Sequence, residues 1–184
     1  MTMIPEYPDS CDLFAAGGRE NSRGAEARQL KWDLRFMEMA ALVARNSKDR
    51  NHRYGCVVVD DRLAVLATGY NGFPRGVDDD VEERHARPEK YLWTTHAEQN
   101  AVCDAARRGA RLAGATAYVD DRFPCARCAG ALAQAGVRAV VGREPDLSHP
   151  RWGAEWRVAL RIFREAEVEV RYMPEEKGNV DGED

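Results

Sequence analysis

Residues 115–141 read ATAYVDDRFPCARCAGALAQAGVRAVV, and the fold class follows from how this stretch is parsed. Ala115-Thr-Ala-Tyr-Val119 and Val137-Arg-Ala-Val-Val141 are short apolar runs of buried-strand character. Between them, Cys125 to Ala135 predicts a helix stopped by Gly136. A strand, a helix and a second strand in this order call for a crossover connection and a parallel pair. Working outward, His96 to Arg108 predicts a helix ended by Gly109, and Trp152 to Glu165 another, followed by a closing strand Val168-Glu-Val-Arg-Tyr172. Upstream, Gly55-Cys-Val-Val-Val59 and Leu63-Ala-Val-Leu-Ala67 form a hairpin across Asp60-Asp61-Arg62. Before it, Phe36, Met37, Ala40, Val43 and Ala44 recur at helical spacing from Asp33, read as an N-cap, to Arg45. The expectation is an α/β chain with a partly parallel sheet.

Two of these helices begin with residues suited to a metal. His96-Ala97-Glu98 opens one and Pro124-Cys125-Ala126-Arg127-Cys128 opens the other. One imidazole and two thiolates supply three ligands, leaving a fourth position for water, which is what a catalytic zinc needs. Glu98, two residues beyond His96, can reach that water without occupying the metal, and the pKa of a zinc-bound water falls toward ~7. Helix N-termini favour thiolate over thiol through their partial positive charge. Pro124 has no N–H to leave unpaired and fixes φ ahead of Cys125. Taken singly, the Cys-x-x-Cys pair also fits half of a structural zinc site or a redox pair, and a single helical His also fits a packed core residue. A structural site asks for a fourth soft ligand, and the one remote candidate is His149, in a turn where a surface or helix-start role suits it.

The chain has 184 residues, 44% of them hydrophobic, enough for one domain with extensions. No apolar run is long enough to span a bilayer and the start lacks signal-peptide character, so a cytoplasmic protein is expected. Five cysteines agree: with Cys125 and Cys128 assigned to metal, Cys11, Cys56 and Cys103 are an odd set, unlike a secreted disulfide framework. The formal net charge of −4 argues against a nucleic-acid partner while leaving room for a small nucleotide. Residues 1–30 read as a flexible arm, 31–173 as the folded domain and 174–184 as a polar tail. The polar segment from Gly69 to about Thr95, with Asp78-Asp79-Asp80, Glu82 and Glu83, reads as a long functional loop such as a substrate lid.

His-x-Glu followed by Pro-Cys-x-x-Cys is the signature of zinc deaminases acting on cytosine or adenine amino groups. The chain further resembles the deoxycytidylate (dCMP) deaminases within the wider cytidine deaminase superfamily. The resemblance rests on Arg45-Asn-Ser47-Lys48-Asp49, Gly69-Tyr70-Asn71-Gly72-Phe73-Pro74-Arg75-Gly76, Lys90-Tyr91, His96-Ala97-Glu98-Gln99-Asn100-Ala101 and Phe123-Pro124-Cys125-Ala126-Arg127-Cys128. It covers residues 32 to 172. It implies a three-layer α/β/α sandwich with a five-stranded mixed sheet, hydrolytic deamination of dCMP to dUMP and ammonia, and assembly into homo-oligomers. Carried over, it makes His96, Cys125 and Cys128 the zinc ligands and Glu98 the catalytic proton shuttle. Asn71 becomes a contact to the sugar or base, with plain Asn-Gly turn chemistry as the alternative. Ser47 and Lys48 are candidates for the phosphate, and Arg107 a further one. Some members bind a second, structural zinc near the Ser-Lys segment; Asp49, Arg50 and Val77 stand at those places here, so one zinc per chain is expected. The turn Asp120-Asp121-Arg122-Phe123 reads as one residue longer than the family pattern, and its acidic pair is expected to bear on the pocket rim.

Overall fold

The computed structural model describes residues 22–174. The chain divides into two compact units, Met1–Trp32 and Asp33–Asp184. Helix α1 runs Ser22–Ala44, followed by strands β1 (Gly55–Val59) and β2 (Val65–Tyr70). A 3-10 turn (Glu82–His85) and the short helix α2 (Lys90–Trp93) lead to α3 (Ala97–Arg108). Then come β3 (Thr116–Val119), α4 (Ala126–Gln134), β4 (Ala139–Gly142), α5 (Gly153–Glu165) and β5 (Glu169–Tyr172). The five strands form one sheet in the order β2-β1-β3-β4-β5. β1 is antiparallel to β2 and β3, while β3, β4 and β5 are mutually parallel, so the sheet is mixed as expected.

Register decides which helix covers which face. Cys56 pairs with Val119, Val58 with Ala117, and Ala117 with Val140. Directly paired residues project to the same side, and these join one core cluster with Ala97 and Ala101 of α3, Leu132 of α4 and Phe163 of α5. The alternate residues Val57, Tyr118 and Val141 face the other way, where the Tyr118 ring lies 5.0 Å from Phe36 of α1. The result is the three-layer α/β/α sandwich, with α1 on one face and α3, α4 and α5 on the other. Two glycines permit this close stacking. A Cβ at Gly55 would strike the Ala40 carbonyl of α1, and one at Gly69 would strike the backbone of Ala97 and Ala101 in α3.

Three expectations change. The first helix starts at Ser22 and not at Asp33, because Ala25, Glu26, Ala27, Arg28, Gln29, Leu30 and Lys31 are all good helix formers; residues 1–21 of the expected arm, and all but Pro174 of the tail, lie outside the described residues. Asp33 is accordingly no cap. It is 4% exposed, accepts a hydrogen bond from Tyr118 Oη at 2.7 Å and receives Arg171 through Nε and Nη2 at 2.9 and 3.0 Å, tying α1 to β3 and β5. The second hairpin strand begins at Val65, since Leu63 takes a positive φ of 67° and the Asp60 carboxylate accepts the N–H groups of Arg62 and Ala64 to close a longer turn. Among the described residues, no helix is long and apolar enough to cross a membrane.

Candidate active site

His96 and Cys125 are the N-cap residues of α3 and α4, both in extended backbone conformation. Because both helices pack on one face of the sheet, their first turns are brought side by side. His96 Nδ1 lies 3.6 Å from Cys125 Sγ and 3.5 Å from Cys128 Sγ. Zn–N bonds of about 2.05 Å and Zn–S bonds of about 2.3 Å at a tetrahedral angle require N···S separations of about 3.5 Å. The donor atoms therefore stand at the spacing of a zinc coordination shell, and all lie within 4.8 Å of one another.

The electrostatics of the three donors point the same way. The Cys128 thiol hydrogen-bonds Cys125, which outweighs burial and, with help from His96, brings the Cys125 pKa down to about 4. The same hydrogen bond, reinforced by burial, pushes the Cys128 thiol far upward, and the contact with Cys125 raises His96. Two adjacent sulfurs cannot both ionise unless a cation lies between them. Glu98, in the first turn of α3, is 5% exposed, and burial raises its carboxyl above the usual range.

His96, Glu98 and Cys125 border a cavity of about 630 Å³ whose lining also includes Asn71, Arg122 and Trp152. Asn71 is buried and fully engaged. Its Oδ1 accepts the Tyr54 N–H at 2.8 Å, while Nδ2 donates to the His52 carbonyl at 2.9 Å and to Asp49 Oδ2 at 3.3 Å. Ser47 lies behind it, its Oγ donating to the Asn71 carbonyl at 2.7 Å. Lys48 and Arg107 do not line this cavity: Lys48 is exposed and pairs with Asp79 at 2.8 Å, and Arg107 pairs with Asp104 at 3.5 Å within α3. His149 does line it, and its Nδ1 accepts the N–H groups of Arg151 and Trp152, each at 3.2 Å, just before α5.

Sequence reasoning missed four features. Lys90 is buried, its Nζ lying 2.8 and 2.6 Å from the two carboxylate oxygens of Asp49, which hold the Gly72–Thr95 segment to the cavity wall. That segment is not featureless; it contains the 3-10 turn and α2 and is closed by a bridge between Gly72 and Thr95. Tyr54 Oη is buried without a hydrogen-bond partner among the described residues, in the wall of the cavity. Arg122 and Arg151 stack on its aromatic side chains. The Asp120-Asp121-Arg122-Phe123 turn was the one local signal near Arg122; the others depend on partners distant in sequence.

Among the described residues, His96, Cys125 and Cys128 form a group that could hold a metal ion, and the buried carboxyl of Glu98 borders the same cavity. Residues 30–143 match the cytidine and deoxycytidylate deaminase zinc-binding region, and the chain belongs to that family. An uncharacterized deaminase of Aliivibrio fischeri from the luxG 3′ region is 38% identical over 147 residues, covering 78% of this chain and 95% of that protein. The human deoxycytidylate deaminase is 36% identical over 117 residues, 61% of this chain and 64% of that protein. The dCMP deaminase of cyanophage S-TIM5, solved in complex with dCMP and dUMP, superposes with a TM-score of 0.60 at 27% identity, covering 78% of this chain and 97% of that one.

Proposed function

We propose that this enzyme hydrolyses dCMP to dUMP and ammonia, with one zinc ion per chain held by His96, Cys125 and Cys128. The observation that carries the reading is the tetrahedral spacing of the three donors beside a buried carboxylate, and the similarity to deoxycytidylate deaminases supports the substrate. A zinc ion at this position supplies Lewis-acid activation of water. Glu98 then does the proton work. It accepts a proton from the attacking water, delivers it to the ring nitrogen beside the amine-bearing carbon, and serves the departing ammonia in the same way. A carboxyl raised by burial takes up a proton more readily than an exposed one, which suits a proton carrier. Asn71, braced by Ser47, shapes the wall against which the sugar and base are held.

The reading also places the enzyme among cytoplasmic nucleotide pools. Exposed Leu34, Met39 and Leu42 on α1 support assembly into a homo-oligomer. The test is ammonia release and product identity for dCMP, CMP, dCTP, deoxycytidine, cytosine and guanine with the purified protein. Turnover fastest on dCMP with dUMP as product is expected; preference for a free base or nucleoside would replace the substrate, and no ammonia from any of them would remove the reaction.

A further inference from the structure

The cavity rim carries two arginines that the deamination chemistry does not use. The Arg122 guanidinium sits 5.3 Å from the Tyr54 ring centroid and 5.5 Å from that of Trp152. Arg151 sits 4.5 Å from Tyr91 and 4.8 Å from the same Trp152. One indole is thus shared by two cations, both lining the cavity that holds Glu98. Among the described residues, neither arginine has a carboxylate in ion-pairing range. Like charges brought this close repel each other, and an anion between them removes the repulsion.

Both are held in place by local backbone devices. Asp121 takes a left-handed φ of 61° and the Arg122 N–H donates to the Asp120 carbonyl at 2.7 Å, which fixes the backbone at Arg122. His149 Nδ1 in turn holds the backbone of Arg151 and Trp152. Stacking leaves the N–H edges of a guanidinium available for bidentate contacts to phosphate oxygens.

We propose that Arg122 and Arg151 form a clamp for the phosphomonoester of the substrate, with Trp152 as its shared aromatic backing; this rests on the nucleotide reading above. Two positive charges match a phosphomonoester of about −1.5 to −2 at neutral pH. A cavity of about 630 Å³ accommodates a nucleotide whose base lies on the His96–Glu98 floor while its phosphate reaches the rim.

The test compares R122Q, R151Q and R122K with the zinc-loaded wild type. Calorimetry with dUMP, deoxyuridine and inorganic phosphate separates the phosphate from the nucleoside, and kinetics are measured on dCMP and deoxycytidine. Wild type should bind dUMP about tenfold or more tighter than deoxyuridine. Each Gln variant should cut that preference, and the kcat/KM preference for dCMP over deoxycytidine, by about ten- to a hundredfold, mainly through KM. R122K, which keeps the charge, should restore part of it, and zinc content and Tm should stay at wild-type values. Equal losses on both substrates, or a wild type that binds dUMP no better than deoxyuridine, would overturn the clamp. Clamp-dependent dUMP binding without ammonia release from dCMP would instead remove the proposed reaction and leave the clamp standing.

Discussion

The two sides of the cavity are built by different means. On the floor, His96 and Cys125 are helix caps, so their places follow from where α3 and α4 begin, and those helices are fixed by the packed core beneath them. On the wall formed by Gly72–Thr95, little apolar burial is available, and position depends on charges from elsewhere in the chain: Lys90 on buried Asp49, with Lys48 on Asp79 and Arg50 on Glu82 at the surface. The floor is therefore a consequence of the fold, whereas the wall is fastened to it by a few polar contacts. The His and Cys donors thus sit on the packed scaffold and the polar contacts on the loop, in keeping with the division between scaffold and loop seen across enzymes.

Substitutions can break this contrast, beginning with the floor. Glu98→Gln removes the proton carrier but no metal donor, so kcat should fall by about 10²–10⁴ or more with zinc content unchanged. A rate within tenfold of wild type would contradict the assigned role. Cys125→Ser or Cys128→Ser removes one donor of a proposed site that joins α3 and α4 and should cost both bound zinc and thermal stability, read by metal analysis and a melting curve. Retention of a full zinc equivalent in either would show that the donor set is misassigned.

The wall should respond through stability and pH. Burial pushes the Asp49 carboxyl up, but hydrogen bonds from Lys90 and from the N–H groups of Asn51 and His52 prevail and hold its pKa below the usual carboxylate range. A depressed folded-state pKa contributes stability that is present above the unfolded value of about 3.9 and is lost as pH falls through the folded one. Lys90→Met leaves the carboxylate buried without its cation. It should destabilise by about 3–5 kcal/mol at neutral pH, a deficit that shrinks as pH falls and Asp49 takes up a proton, while Asp49→Asn with Lys90→Met should recover part of the loss. Chemical denaturation from about pH 2 to about pH 7, a range that extends well below the unfolded value, measures both effects. At the exposed edge, Lys48→Ala should leave the melting temperature and the Michaelis constant for dCMP at wild-type values, because its pair with Asp79 is open to solvent. A large rise in that constant would return the phosphate to Lys48.

The same contrast explains what could be read from the sequence. Strand and helix periodicities, and the stops at Gly109 and Gly136, are local signals, and the proposed metal donors stand out because they occupy the first turns of those helices. Arg122 and Arg151 were not visible as a pair, since they meet only when the turn before α4 and the turn before α5 converge on Trp152. Lys90 reads as an exposed loop cation until Asp49, distant in sequence, is folded against it. Asp33 has good N-cap character, yet Tyr118 and Arg171 hold it inside a longer helix. Local preference decided where the caps lay; long-range charge pairing decided the wall.

Zinc titration against activity tests the central claim most directly. Chelator is used to withdraw metal stepwise from the purified enzyme while zinc content and dUMP formation from dCMP are followed in the same samples. The rate should fall in proportion to bound zinc, vanish as the His96, Cys125 and Cys128 site empties, and return when one equivalent is restored. Full activity in protein holding less than about half an equivalent of zinc would contradict it.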